Sequence, residues 1–183
     1  LGVSLLNQER YSEAETSYRQ AIRLDPTYQN AYNGLGLVLI ETERYEDAES
    51  IFRQSEQIEP GIFNKLYLGL VLVELGGFVE AEQIFKELIS QSVPLDKAMG
   101  RLGLGFAYQE QDLIDEAIGE YEEGLKIFPD ATIFQDALSD AKLLLLEKTS
   151  SAEIGDFVDD DPYLALKRSV VQIFTDRNHS IYP

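Results

Sequence analysis

The chain repeats itself. An alanine recurs at Ala14, Ala48, Ala81 and Ala117, with spacings of 34, 33 and 36 residues. Leu1-Gly2, Leu35-Gly36, Leu68-Gly69 and Leu104-Gly105 keep the same three spacings. Three residues ahead of each alanine stands a bulky side chain: Tyr11, Tyr45, Phe78 and Ile114. Four residues after it comes an aromatic: Tyr18, Phe52, Phe85 and Tyr121. Pro26, Pro60, Pro94 and Pro129 close the units. A period of this length means stacked supersecondary units, each too small to bury its apolar face without a neighbour.

The spacing within a unit predicts two helices. The glycine falls near the middle of the first, where it costs about 1 kcal/mol relative to alanine. Such a residue is kept where another backbone passes close by. The alanine gives the second helix a small surface against it, and the aromatic one turn later fills the seam toward the next unit. Proline stops the second helix and starts the next one. First helices are expected over 29–42, 62–75 and 97–110, with a truncated one over 1–8. Second helices are expected over 11–24, 45–58, 78–91 and 113–127. The stretch Gln91–Asp96 reads as a longer exit from the third unit, accounting for its 36-residue step. A further amphipathic segment over 131–148 carries Ile133, Phe134, Ala137, Leu138, Ala141 and Leu144–Leu146. It is placed to cap the last apolar face.

With its small, aromatic and proline positions in register four times, the pattern resembles the tetratricopeptide repeat over residues 1 to about 130. The resemblance implies an all-α, right-handed superhelical solenoid of helix-turn-helix hairpins with a C-terminal capping helix, residues 1–148 together. It also implies that the first helices line a concave groove for extended or helical peptides. Groove positions are then Asn30, Asn33, Gly34, Leu37, Ile40 and Glu41; Phe63, Leu66, Tyr67, Leu70, Val73 and Glu74; and Met99, Leu102, Gly103, Phe106, Gln109 and Glu110. Members of the family that grip C-terminal carboxylates use Lys, Arg and Asn there. Phe63 and Tyr67 occupy the third-unit positions here, which argues against that ligand. An apolar trough with Glu41, Glu74 and Glu110 repeated once per unit suits an amphipathic segment carrying Lys or Arg. The competing reading packs Leu37, Leu70 and Phe106 within the hairpins and leaves the glutamates merely solvated.

Composition narrows the function. Of 183 residues 44% are apolar, enough for one sizeable core, and no apolar run approaches membrane-spanning length. The net charge of −18 argues against phosphate backbones and anionic membranes. It favours basic partners through long-range steering, unless it serves only solubility. Cysteine is absent, which removes disulfides, thiolate metal sites and a thiol nucleophile, and fits a cytoplasmic protein without requiring one. The half-helix at Leu1 leads one to expect that the stack continues before it. If that edge is real, Val3, Leu5 and Leu6 offer a face for self-association.

Periodicity is lost after Lys148. Residues 149–161, with Glu153, Asp156 and Asp159-Asp160-Asp161, read as an acidic linker. The aspartate run lacks the spacing and distal glutamate of a calcium loop. The tail, 162–183, has two readings. As a helix capped by Asp161 with Pro162 at its first position, it aligns Tyr163, Leu166, Val170 and Phe174 beside Lys167 and Arg168. It could then dock in the chain's own groove or a neighbour's. As a strand over 170–175 it would open a further domain, and it faintly resembles the first strand of trypsin-like proteases.

No catalytic constellation is present. The single histidine, His179, lies near Asp176 with no nucleophile placed against it, and no cofactor or metal is implied. The expected function is a protein-interaction scaffold. The alternative is a recruitment or regulatory module of a larger enzyme whose chemistry lies outside these residues.

Overall fold

The computed structural model describes residues 10–151, with side chains to 149. The expected truncated helix over 1–8 and most of the linker and tail lie outside the described residues. Within them are eight helices and no strand: α1 (Tyr11–Leu24), α2 (Gln29–Glu41), α3 (Tyr45–Ile58), α4 (Ile62–Glu74), α5 (Phe78–Ser90), α6 (Pro94–Glu110), α7 (Ile114–Ile127) and α8 (Thr132–Ser151). The architecture is an all-α repeat solenoid. Each helix packs on the next, and the first helices α2, α4 and α6 also touch one another, α4 and α6 most extensively. Second helices make no comparable pairing among the described residues. The stack therefore closes on the first-helix side and splays on the other, which makes the first helices the concave layer.

One core runs the length of the stack. The repeated alanines Ala14, Ala48, Ala81 and Ala117 have no exposed surface, and Phe52, Phe85 and Tyr121 are likewise buried. The glycines explain why. A Cβ at Gly36 would overlap the Phe52 ring, one at Gly105 the Tyr121 ring, and one at Gly34 the Tyr18 ring of the preceding unit. Phe85 does both jobs at once, lying against Gly69 of its own unit and Gly103 of the next. The space beside these repeated glycines is filled by an aromatic side chain rather than by the passing backbone that the sequence suggests, whereas Gly100 does face backbone, with the Phe85 carbonyl 2.6 Å from where its Cβ would stand.

The turn inside each hairpin keeps its form along the chain but not its residue. Glu43, Gly76 and Asp112 occupy equivalent positions, all with positive φ (57°, 74° and 68°). In each, the next amide reaches back over the helix end: Arg44 to the Leu39 carbonyl, Gly77 to Leu72 and Leu113 to Tyr108, at 2.7–2.9 Å. This is the six-to-one bond of a left-handed helix terminus.

The third unit corrects the expected layout. Residues 94–96 are helical rather than an irregular exit. Val93 is extended (φ −75°, ψ 124°), as a residue before proline prefers. Pro94 then starts α6, its fixed φ and missing donor costing nothing in a first turn. The longer step is an extra turn of helix, α6 having 17 residues where α2 and α4 have 13.

Candidate functional site

The concave layer is built from one face of α2, α4 and α6, and α8 follows in the chain position of a further first helix. Helical phase identifies that face but not its depth. Leu66, Tyr67, Met99, Leu102 and Phe106 are 0–5% exposed, so they brace neighbouring first helices and present no surface. Ile40 and Val73 are also buried, as are Gly34 and Gly103 beneath Tyr18 and Phe85. Asn30 is exposed, while Leu37, Phe63, Leu70, Glu41, Glu74 and Gln109 are half-buried and Glu110 is exposed. Of the two sequence readings, Phe106 follows the packed one, whereas Leu37 and Leu70 keep part of their surface open.

Asn33 has a different task. The buried Ser55 hydroxyl on α3 donates to the Asn33 Oδ1 at 2.7 Å, and lies 3.1 Å from the Asn64 Oδ1 on α4. Asn64, fully buried, donates from Nδ2 to the Glu59 carbonyl at 2.9 Å. The network ties three helices together and satisfies polar groups that would otherwise be costly to bury.

Beside it stand three aromatic rings. Tyr67 stacks on Phe52 with centroids 5.6 Å apart, and Phe63 tilts against Tyr67 at 4.5 Å. Such pairs add about 0.5–1.5 kcal/mol beyond their burial. Phe63 is the member that reaches the concave surface. Burial raises the Tyr67 phenol pKa, and the Glu41 charge adds to that shift. Tyr121 behaves alike: burial raises it first, then Glu110 and Asp140. Its hydroxyl donates to the Gln109 side-chain oxygen at 3.3 Å. Glu41 and Glu110 are thus near enough to the buried Tyr67 and Tyr121 for their charge to be felt there.

Two cations on the first helices pair with glutamates of the second helices. Helix α2 has none. Lys65 of α4 pairs with Glu87 on α5 at 2.5 Å, and Arg101 of α6 with Glu120 on α7 at 2.6 Å. Lys142 and Lys148 of α8 pair with Glu122 and Asp112. Much of the remaining ion pairing lies along the second helices, as in Arg53 with Glu49 and Glu80.

Continued past α6, the repeat period marks corresponding positions on α8. A further step of 34 residues from Met99, Leu102, Phe106 and Gln109 falls on Ile133, Asp136, Asp140 and Leu143 of α8. Partial burial and the neighbouring Asp136 raise the Asp140 pKa. Leu143 is 56% exposed. Where α6 and α8 begin, an apolar cleft of about 360 Å³ opens between Leu95, Met99, Phe128, Ile133 and Phe134, with Asp130 at its rim. The signal that could have found this layer is the repeat period itself. Among the described residues no group of three His, Cys, Asp or Glu side chains could hold a metal. No described helix is long and apolar enough to cross a membrane.

Comparisons agree with this architecture. Residues 1–61 match a family model described as the tetratricopeptide repeat. No curated protein matches the sequence. Among solved structures, a thermophilic tetratricopeptide repeat protein of Thermus thermophilus superposes with a TM-score of 0.67 at 23% identity, covering 78% of each chain. The pilF protein of Pseudomonas aeruginosa superposes with a TM-score of 0.67 at 18% identity, over 97% of this chain and 83% of its own. YrrB, described as a tetratricopeptide repeat protein with an unusual peptide-binding site, gives 0.57 at 19% identity over 83% and 78%.

Proposed function

The chain is a tetratricopeptide repeat protein, a protein-interaction scaffold by fold, and from that premise we propose that its concave face captures a peptide segment with an apolar side and basic residues. The observation that carries this reading is the arrangement of charge. Glu41, Glu74 and Glu110 recur once per unit beside the half-open Leu37, Phe63 and Leu70, while Lys65 and Arg101 on the same helices turn to glutamates of the outer layer. An apolar strip edged by one sign of charge selects a partner of the opposite sign and speeds its encounter. The chain's own tail, with Lys167 and Arg168 among apolar residues, has the same chemistry.

The test is fluorescence anisotropy with a labelled synthetic amphipathic Leu/Lys peptide and its Leu/Glu counterpart. The Lys peptide is expected to bind and the Glu peptide not. Combining Glu41→Gln, Glu74→Gln and Glu110→Gln should weaken binding at least tenfold. The same number of neutralisations on the second helices (Glu46→Gln, Asp115→Asn, Glu116→Gln) should cost far less. Equal losses from both sets would mean that net charge, and not the groove, attracts the peptide.

A further inference from the structure

The last layer differs from the others in having a cleft at one end and two carboxylates, Asp136 and Asp140, where each of the others carries one glutamate. Reading along α8 from its C-terminal half toward its start, the repeat period aligns Leu143, then Asp140, then Asp136 with the groove positions of α6, and the row ends at the cleft. The cleft exists because α6 carries its extra first turn, which brings Leu95 opposite Phe128 and Ile133. Phe128 stays 38% exposed at its mouth. Partial burial raises the Asp140 pKa and the nearby Asp136 adds to it, while the lysines of their own helix are engaged with Glu122 and Asp112.

We infer that this stripe is the seat of the chain's own segment Tyr163–Phe174, lying antiparallel to α8 with Phe174 in the cleft, Lys167 and Arg168 against Asp136 and Asp140, and Tyr163 over Leu143. Three features of the sequence match it. Residues 162–183 carry Lys167, Arg168 and Arg177 against one acid, Asp176, in a chain whose net charge is −18, so the segment and the stripe are electrostatic complements. Distances agree in helical form, at about 1.5 Å rise per residue. From the basic pair to Phe174 is then roughly 9–10 Å, and from the midpoint of Asp136 and Asp140 to Ile133 roughly 7–8 Å. The eleven residues 152–162 span up to about 36–40 Å when extended, more than enough to turn back from Ser151 to Leu143. The seat rests on the groove reading above, because it is the same concave face, but it can fail separately.

The chain has no cysteine, so disulfide trapping in the full chain reports one pair at a time. Phe128→Cys combined with Phe174→Cys should form an intrachain disulfide under mild oxidation, seen as a mobility shift that reductant reverses. Phe128→Cys with Tyr163→Cys should not. Leu95→Cys in place of Phe128→Cys repeats the test from the other wall, should one variant fold poorly by circular dichroism. Adding Asp136→Asn and Asp140→Asn should slow trapping at least fivefold. A crosslinked dimer instead would overturn the proposal in favour of a second copy, and equal trapping at positions 163 and 174 would show that the segment has no fixed seat. Absence of trapping from both walls overturns it too. If the groove neutralisations still abolish Lys-peptide binding in that case, the groove reading survives without the seat.

Discussion

The Ser55 hydroxyl donates to the Asn33 side-chain oxygen at 2.7 Å across the hairpin of α2 and α3, at a position where the next unit carries Leu88. Asn64 joins them from α4. Ser55→Ala should therefore destabilise the chain by about 1–3 kcal/mol, because the Asn33 side-chain oxygen loses its donor in a largely buried network. Urea denaturation measures it. Ser55→Cys, which keeps a weak donor of nearly the same shape, should cost less. A midpoint unchanged by Ser55→Ala would mean that water replaces the hydroxyl without loss.

Phe85 lies against glycines of two units, so the α4–α5–α6 seam tolerates little added volume. Gly103→Ala should cost about 1–3 kcal/mol, since the Phe85 ring must leave its position in a packed core. Gly119→Ala, with no atom within 4 Å of the added carbon, should instead stabilise by up to about 1 kcal/mol through helix propensity. In the double variant Gly103→Ala with Phe85→Leu, the smaller side chain should make the two losses less than additive. A double-mutant cycle by chemical denaturation reads this coupling directly.

These relationships show what the sequence could and could not disclose. The register of Ala14, Ala48, Ala81 and Ala117 was legible because a small residue and its aromatic partner must recur together for hairpins to nest. Helix ends followed to within about three residues. Pro94 misled, because a proline after a helix and a proline beginning one are the same residue, and only the chain path distinguishes them. The concave face was legible as a direction. Depth was not, since Leu66 or Phe106 is covered or open according to the bulk on the adjacent first helix, a property of two units jointly. Asp136 and Asp140 are harder to read, because Pro129 looks like the end of the last unit although the period continues into α8.

The hairpin turns carry a local cost that substitution can remove. Glu43 holds φ 57° where the equivalent position in the next unit is Gly76. A side chain in the left-handed region costs roughly 1–2 kcal/mol, partly offset by the entropy glycine loses on folding. Glu43→Gly should therefore gain about 0.5–1 kcal/mol, or roughly 1–4 °C in melting temperature for a chain of this size. Gly76→Ala should shift it the other way. Thermal melts of both variants settle the sign, and a loss in Glu43→Gly would show that the Glu43 side chain contributes something the turn geometry does not reveal.

Acid should loosen the outer layer before the core. Glu15 on α1 accepts from Arg19 at 2.8 Å and from Arg44, just ahead of α3, at 2.9 Å. Burial opposes its ionisation, but the two guanidinium groups together hold its pKa below the ordinary glutamate value. For a carboxylate depressed in the folded state, the stabilisation is fully present above the unfolded pKa, about 4.3, and is lost as pH falls through the lower folded value. Glu15→Gln should thus lower stability at pH 7 and flatten the decline below about pH 4.3. Arg44 is 42% exposed and Glu15 22%, so solvent screening limits the effect to about 1 kcal/mol or less. Salt near 1 M should shrink it further, the screening length there being about 3 Å. Urea midpoints for the two proteins from pH 7 to pH 3 provide the comparison. Parallel curves would mean that the bridge between α1 and α3 orders two side chains without joining their units energetically.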